Sequence, residues 1–182
     1  MSRFDWLSEY LARLQDEHIV VHRGDASVLA PAHTLHLDAE DWGSAARVAA
    51  GFGLRWAAVW GDVIDETIVV RAVLSYQGDY LVLSTEVALR NPVLPSHTPH
   101  VPGANRLERH QQDLFGIAFL DHPDARRWTR HQAWAEDVYP LRGDFPAAGR
   151  APRRTPVDSA YPFASVLGSG VSGTVRLIDE LL

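Results

Sequence analysis

Phe4, Leu7, Leu11 and Leu14 recur at spacings of three and four, which predicts an amphipathic helix from Phe4 to about Leu14 with one apolar face. Ile19–Val21 and Val28–Ala30 are short apolar runs and are expected to form strands around an Arg23-Gly24-Asp25 turn. His33–Leu37 alternates polar with apolar residues, as a half-buried strand does. The acidic run Asp38-Ala39-Glu40-Asp41 then suits the start of a helix, where the dipole favours negative charge. Ala45, Val48, Ala49 and Phe52 give that helix its buried stripe, and Gly51–Gly53 ends it. Three strands are expected next, Leu54–Trp60, Thr67–Tyr76 and Tyr80–Val87, with Gly61-Asp62 starting one turn and Gly78-Asp79 supplying the other.

The order β-α-β-β-β, with a further helix after it, predicts an α+β fold: a small mixed, antiparallel-rich sheet with helices on one face, followed by a long irregular C-terminal arm. The pattern changes at Asn91-Pro92. Pro92, Pro95, Pro99 and Pro102 make this stretch unfit for helix or central strand, so it is expected to run extended over the surface. A short helix from about Ala104 to Leu114, stopped by Gly116, follows. Beyond it His122-Pro123, Pro140, Pro146 and Pro152 punctuate a segment with little periodicity, of a length uncommon in compact domains unless it binds something. The division expected is residues 1–90 as the core domain, 91–117 as a proline-rich linker and helix, and 118–182 as an extended docking arm. Trp128 and Trp134 fall in the arm, where large aromatics are typical interface anchors.

Composition narrows the chemistry. The chain has 182 residues and no cysteine, which excludes disulfides, thiolate-held zinc and cysteine-ligated iron–sulfur clusters. The N-terminus lacks a secretory pattern, and no window approaches the roughly 18 apolar residues needed to span a bilayer. The expectation is a cytoplasmic protein that touches a membrane only indirectly, through partners. Every basic residue is arginine, which reads first as coding bias in a GC-rich genome. Residues 1–99 carry seven arginines against thirteen acids, whereas 100–154 carry nine against seven, so the second region suits an arginine-rich contact face. A net charge of −6 argues against a general nucleic-acid binder.

Nine histidines raise the question of a metal. His18 and His22 are four apart, but His33 and His36, three apart on a strand, point to opposite faces. His97 and His100 lie among prolines with no acid nearby to complete a site. A histidine-metal hydrolase built on His97, His100 and His122 is therefore carried as an enzyme alternative. A sheet presenting Trp56 and Trp60 to a peptide or nucleic acid is the binding-module alternative. Gly168-Ser169-Gly170 with Gly173 matches a Gly-x-Gly-x-x-Gly string, but it lacks the strand and helix that a dinucleotide site requires.

The most distinctive residues are Glu108-Arg109-His110-Gln111-Gln112-Asp113-Leu114-Phe115-Gly116, His122-Pro123-Asp124-Ala125-Arg126-Arg127 and Tyr139-Pro140-Leu141-Arg142-Gly143-Asp144-Phe145-Pro146. Two readings fit them. One is an ordinary solvated charge run. The other is a clamp in which helix groups at Glu108 and Gln112 hold Arg126, Arg127 and Arg142 of the arm through bidentate hydrogen bonds. Deleting one partner of such a buried pair would cost on the order of 3–5 kcal/mol.

These three strings resemble the signature of the 30-kDa subunit family of NADH–quinone oxidoreductase. Pro95-Ser96-His97-Thr98-Pro99-His100-Val101-Pro102-Gly103-Ala104 and Glu136-Asp137-Val138-Tyr139-Pro140-Leu141-Arg142 are still more similar to the matching domain of formate hydrogenlyase-type (group 4 nickel–iron) hydrogenase large subunits. The motifs cover about residues 92–146. The family usually has Glu-Arg-Glu where this chain has Glu108-Arg109-His110, a glycine where Asp121 stands, and a lysine at Gly143.

The resemblance implies a structural subunit without catalysis or a cofactor of its own, peripheral on the inner face of the cell membrane as part of a complex. It would dock against a large, 49-kDa-like or hydrogenase-like subunit and near iron–sulfur subunits. Glu108, Arg109, Asp113, Arg126, Arg127, Arg142 and Asp144 would hold the arm, with Gly116 and the His122-Pro123 turn setting its path, and Pro140 and Leu141 belong to the same docking signature.

Overall fold

The computed structural model describes residues 5–23, 29–130, 134–146 and 148. Ile68, Val70, Ala72 and Leu74 are all buried, and residues two apart on a strand share one face. They lie on β4 (Thr67–Tyr76), which pairs antiparallel with β5 (Asp79–Ala88) from Thr67↔Ala88 to Tyr76↔Asp79. Leu81, Leu83 and Val87 of β5 therefore stand opposite Leu74, Ala72 and Ile68 on the same buried face. β3 (Arg55–Ile64) pairs antiparallel with the other edge of β4. β2 (His33–Leu37) runs parallel to β5, and β1 (Val21–Arg23) pairs antiparallel with β2, giving the order β1-β2-β5-β4-β3.

The parallel β2–β5 pair needs a crossover. A 3-10 turn at Ala39–Asp41 leads into α2 (Trp42–Phe52), which carries the chain from β2 to the far edge of the sheet at β3. α2 buries Trp42, Ala45, Ala46, Val48 and Ala49 and ends at Gly53, whose φ of 88° lets its N–H reach the carbonyls of Ala49 and Ala50. α1 (Asp5–Asp16) buries Trp6, Tyr10 and Leu14, one turn apart, while Leu7 and Leu11 pack at the margin. The buried stripe is thus rotated from the predicted one, because the two largest rings lead it; Phe4 lies outside the described residues. The Tyr10 hydroxyl donates to the carbonyl of Ala45 at 3.3 Å, joining α1 to α2.

The predicted α+β class, with a mostly antiparallel sheet and helices on one face, is the architecture observed: the core joins α1 and α2 to Leu35, Leu37, Ile68, Val70, Ala72, Leu74, Leu81 and Leu83. Three local expectations differ. β3 continues through Gly61 and Asp62 to Ile64, and the turn falls at Asp65-Glu66, with Asp65 at φ 53°. The next turn is Gln77-Gly78, both at positive φ, so Asp79 already belongs to β5. Leu29 and Ala30 form a bend and turn before β2 instead of a strand, and Gly24, Asp25 and Val28 lie outside the described residues.

The larger difference is the proline stretch. Val93–Pro95 forms β6, which pairs parallel with β7 (Ala118–Leu120) beside the main sheet. Leu94, Ser96, His97 and Thr98 are buried, and Leu94 joins the same core as Phe115, Ile117 and Phe119. Prolines bar a central strand, but two residues between them can pair on a short two-stranded ribbon. The Ala30–Pro31 peptide is cis.

The third helix and the arm laid across it

α3 (Asn105–Phe115) follows a 3-10 turn at Pro102–Ala104 that places a proline at the helix entry. It ends at Gly116, where φ is 75° and the N–H bonds the carbonyl of Gln112 at 2.9 Å. Spacings of three and four divide its surface. Glu108, Gln111 and Phe115 turn into the protein, while Arg106, Arg109, His110 and Asp113 form a strip along which residues 124–130 run.

Glu108 is fully buried and, among the described residues, meets no arginine. Its carboxylate accepts from the Ser96 and Thr98 hydroxyls, each at 2.6 Å, and from the main-chain N–H of His97 at 2.6 Å and of Thr98 at 3.3 Å. It therefore anchors the segment between Pro95 and Pro99, where no regular ladder could supply these acceptors. His122 approaches Glu108 to 3.7 Å. The ring of His122 accepts the Asp124 N–H at Nδ1, which leaves Nε2 to donate to the carbonyl of Asn105 at 3.3 Å.

The arm is held by main-chain contacts. Arg109 donates through Nε to the carbonyl of Arg126 (2.6 Å), through Nη2 to that of Arg127 (3.0 Å), and through Nη1 to the Asp124 carboxylate (2.9 Å). Asp113 returns the complement: its Oδ2 accepts the consecutive N–H groups of Trp128 (2.7 Å), Thr129 (2.5 Å) and Arg130 (3.0 Å). Gln112 donates to the carbonyl of Ala125. One face of an irregular strand of backbone thus finds donors and acceptors along one helix.

Further on, Arg130 donates to the carbonyls of Ala135, Glu136 and Val138, and Arg142 donates through Nε to the carbonyl of Phe115 at 2.7 Å, closing the C-terminus of α3. The Tyr139 ring lies between the two guanidinium groups, at 4.7 Å from Arg130 and 4.3 Å from Arg142. Gly116 sits beneath: a Cβ there would stand 2.6 Å from Tyr139 Cζ and 2.8 Å from Arg142 Nη2. Glycine is required here twice, for its φ and for this close approach.

The expected clamp is therefore corrected in its chemistry. Arm guanidinium groups do not lock onto helix carboxylates; Arg127 donates to the carbonyl of Trp134, Arg142 to that of Phe115, and Arg126 pairs with its neighbour Asp124 at the surface. The reason is the unpaired backbone of an irregular arm, whose carbonyls and N–H groups compete successfully for the same side chains. Hydrogen bonds from Arg126, with Arg109 adding to them, hold the Asp124 carboxyl well below the usual carboxylate range. Pro123 and Asp144 are exposed, Pro140 is half-buried, and Leu141 is exposed although its N–H bonds the carbonyl of Leu114. Ser96, Thr98, Asp124 and Tyr139 lie inside the sequence motifs but carried no assigned role there, and Arg130 lies outside them. Hydroxyls flanking His97 between two prolines were the available signal for the first two.

The histidine alternative does not assemble. His97 is completely buried and stacked on Trp42 at 4.5 Å; its Nδ1 accepts from the Trp56 indole at 3.1 Å, so Nε2 donates to the carbonyl of Trp42 at 3.0 Å. Burial pushes its pKa down to about 3, so the ring stays neutral and both nitrogens are occupied. Among the described residues no three His, Asp or Glu side chains converge as metal ligands. Nor do Trp56 and Trp60 share a face. A bulge between Trp56 and Ala58 turns Trp56 and Val59 to the core side, opposite Leu74 and Ala72, and leaves Trp60 opposite Arg71. Gly168–Gly173 lie outside the described residues.

Comparison with known proteins places this arrangement. The family described as "Respiratory-chain NADH dehydrogenase, 30 Kd subunit" matches residues 35–151. Formate hydrogenlyase subunit 5 of Escherichia coli (strain K12) is 32% identical over 98 residues, covering 54% of this chain and 17% of that protein. The mitochondrial NADH-ubiquinone oxidoreductase 30.4 kDa subunit of Neurospora crassa is 48% identical over 56 residues, covering 31% of this chain and 19% of that protein. In both cases this chain spans less than a quarter of the relative's length. Among solved structures, the trypsin-resistant fragment (1-134) of Nqo5 shares the fold, with a TM-score of 0.51 and 24% identity over 65% of this chain and 98% of that one.

Proposed function

Because this chain belongs to the family of the respiratory-chain NADH dehydrogenase 30 Kd subunit, we propose that it is a non-catalytic structural subunit of a complex I-like NADH:quinone oxidoreductase or of a membrane-bound hydrogenase of the formate hydrogenlyase kind. It docks against the large subunit of that complex, close to its iron–sulfur subunits, at the inner face of the membrane. The single observation that carries this reading is the arm fastened along α3 by Arg109, Asp113 and Arg142 through its main chain. Backbone held in that way leaves side chains free to face a partner, and Trp128 and Leu141 do point outward. An ordered arm also loses less conformational entropy on docking than a free one. Among the described residues no helix is long and apolar enough to cross a membrane, which fits attachment through partners.

In this reading residues 1–90 are the core, 91–117 the signature linker and helix, and 118–182 the docking arm. Co-expression with the large subunit of the same organism tests it. The wild-type pair is expected to co-elute as one species, and Asp113→Ala and Arg142→Ala to weaken association tenfold or more while the sheet stays folded. A wild-type chain that never associates with the large subunit overturns the proposal.

A further inference from the structure

Three of the four side chains on the outer strip of α3 are engaged by the arm: Arg109, His110 and Asp113 each hydrogen-bond to residues 124–130. The fourth, Arg106, makes no hydrogen bond to them and meets the arm through the face of the Trp128 ring. Among the described residues its guanidinium has no carboxylate partner; it lies 4.8 Å from the centroid of the Trp128 indole, and Arg109 lies 5.4 Å from the same ring. An arginine in the first turn of a helix works against the helix dipole, so the dipole does not account for Arg106.

Trp128 is itself unusual. The residue is 41% exposed, yet its backbone is pinned, its N–H held by Asp113 at 2.7 Å and the carbonyl before it by Arg109. Leu107, next to Arg106 on the helix, is also exposed. A large, half-exposed aromatic on a pinned backbone, beside an arginine with no carboxylate partner among the described residues, is the composition of an interface hot spot, with part of the ordering cost already met within the free chain.

We propose that Arg106, Leu107 and Trp128 form a seat for a carboxylate-bearing segment of the large subunit, the acid pairing with the Arg106 fork and an apolar neighbour packing on the indole. This rests on the complex-subunit reading above. The charge of the seat selects an acidic partner: among the described residues Arg106 has no carboxylate beside it, and Arg109, over the same indole, already shares Asp124 with Arg126. A single free guanidinium suits one carboxylate and is poorly suited to a phosphodiester strand, which is bound by a track of unpaired cations with stacking platforms.

The test uses the full chain bound to its large subunit. Leu107→p-benzoylphenylalanine should photo-crosslink to a peptide of the large subunit that contains Asp or Glu. Arg106→Glu and Trp128→Ala should each raise the Kd tenfold or more with unchanged melting temperature, and Arg106→Lys should retain part of the affinity with greater salt sensitivity. If the wild-type pair forms and both variants bind as tightly as it does, the seat is refuted while the subunit reading stands. If the wild-type pair does not form, the subunit reading fails first and the seat falls with it. Tight binding of a twenty-nucleotide oligo-dT that Trp128→Ala abolishes would assign the surface to nucleic acid and overturn the proposal.

Discussion

The carboxylate of Glu108 lies 2.6 Å from the main-chain nitrogen of His97, across a buried gap that also contains the Ser96 and Thr98 hydroxyls. One side chain from α3 thereby satisfies a segment that prolines prevent from joining the main sheet. Glu108→Ala leaves several buried donors without acceptors, each costing about 1–3 kcal/mol. The expected loss is at least about 3 kcal/mol, or roughly 6–12 °C in Tm for a chain of this size. Urea unfolding followed by circular dichroism measures it, and a loss below about 1 kcal/mol would show that the pocket relaxes around the gap.

Asp124 makes acid stability testable in sign. Its folded carboxyl is held below the ordinary value, chiefly by hydrogen bonds from Arg126. The unfolded chain then binds the proton more readily, so this contribution is present above the ordinary carboxylate pKa of about 4 and disappears as pH falls through the lowered folded value. Arg126→Ala should move the Asp124 titration, followed by carboxyl-carbon NMR, upward toward that ordinary value while Arg109 keeps it from returning fully. An unmoved titration would show that Arg126 is not the group responsible.

Asp121 takes φ 59°, a left-handed conformation that favours glycine, at the position where the resembling family commonly has glycine. Asp121→Gly should raise stability by up to about 1 kcal/mol, since relief of backbone strain outweighs the added freedom of the unfolded chain. A measured destabilisation would mean that the aspartate makes a contact worth more than the strain.

Much of the fold was legible because its signals are local. The β2–α2–β3–β4–β5 order follows from alternation at His33–Leu37, from the apolar run at Thr67–Tyr76 and from the small-residue stripe of α2, and the end of α3 follows from Gly116. What was not legible depends on partners distant in sequence. Prolines at 92, 95, 99 and 102 read as surface chain, because nothing local reveals that Glu108 would supply the missing acceptors. The charged motifs at 108–127 stand out in the sequence as a group, but charge alone suggests side-chain pairs. The needs of the arm's own backbone decided the geometry instead, and they leave no mark on composition. The bulge in β3 was equally silent, since Trp56 and Trp60 at even spacing imply a shared face that one extra residue abolishes.

The placement of β2 beside β5 has a kinetic consequence. During synthesis β2 emerges well before its parallel neighbour, and the β3–β4 hairpin must form and β5 must follow before β2 finds its lasting edge. Until then His33–Leu37 has only the three-residue β1 beside it and its other edge is open to mispairing, which makes the order of emergence a determinant of yield. A chaperone-poor expression host or a chain cut ahead of Asp79 should accumulate aggregates seeded at that ribbon.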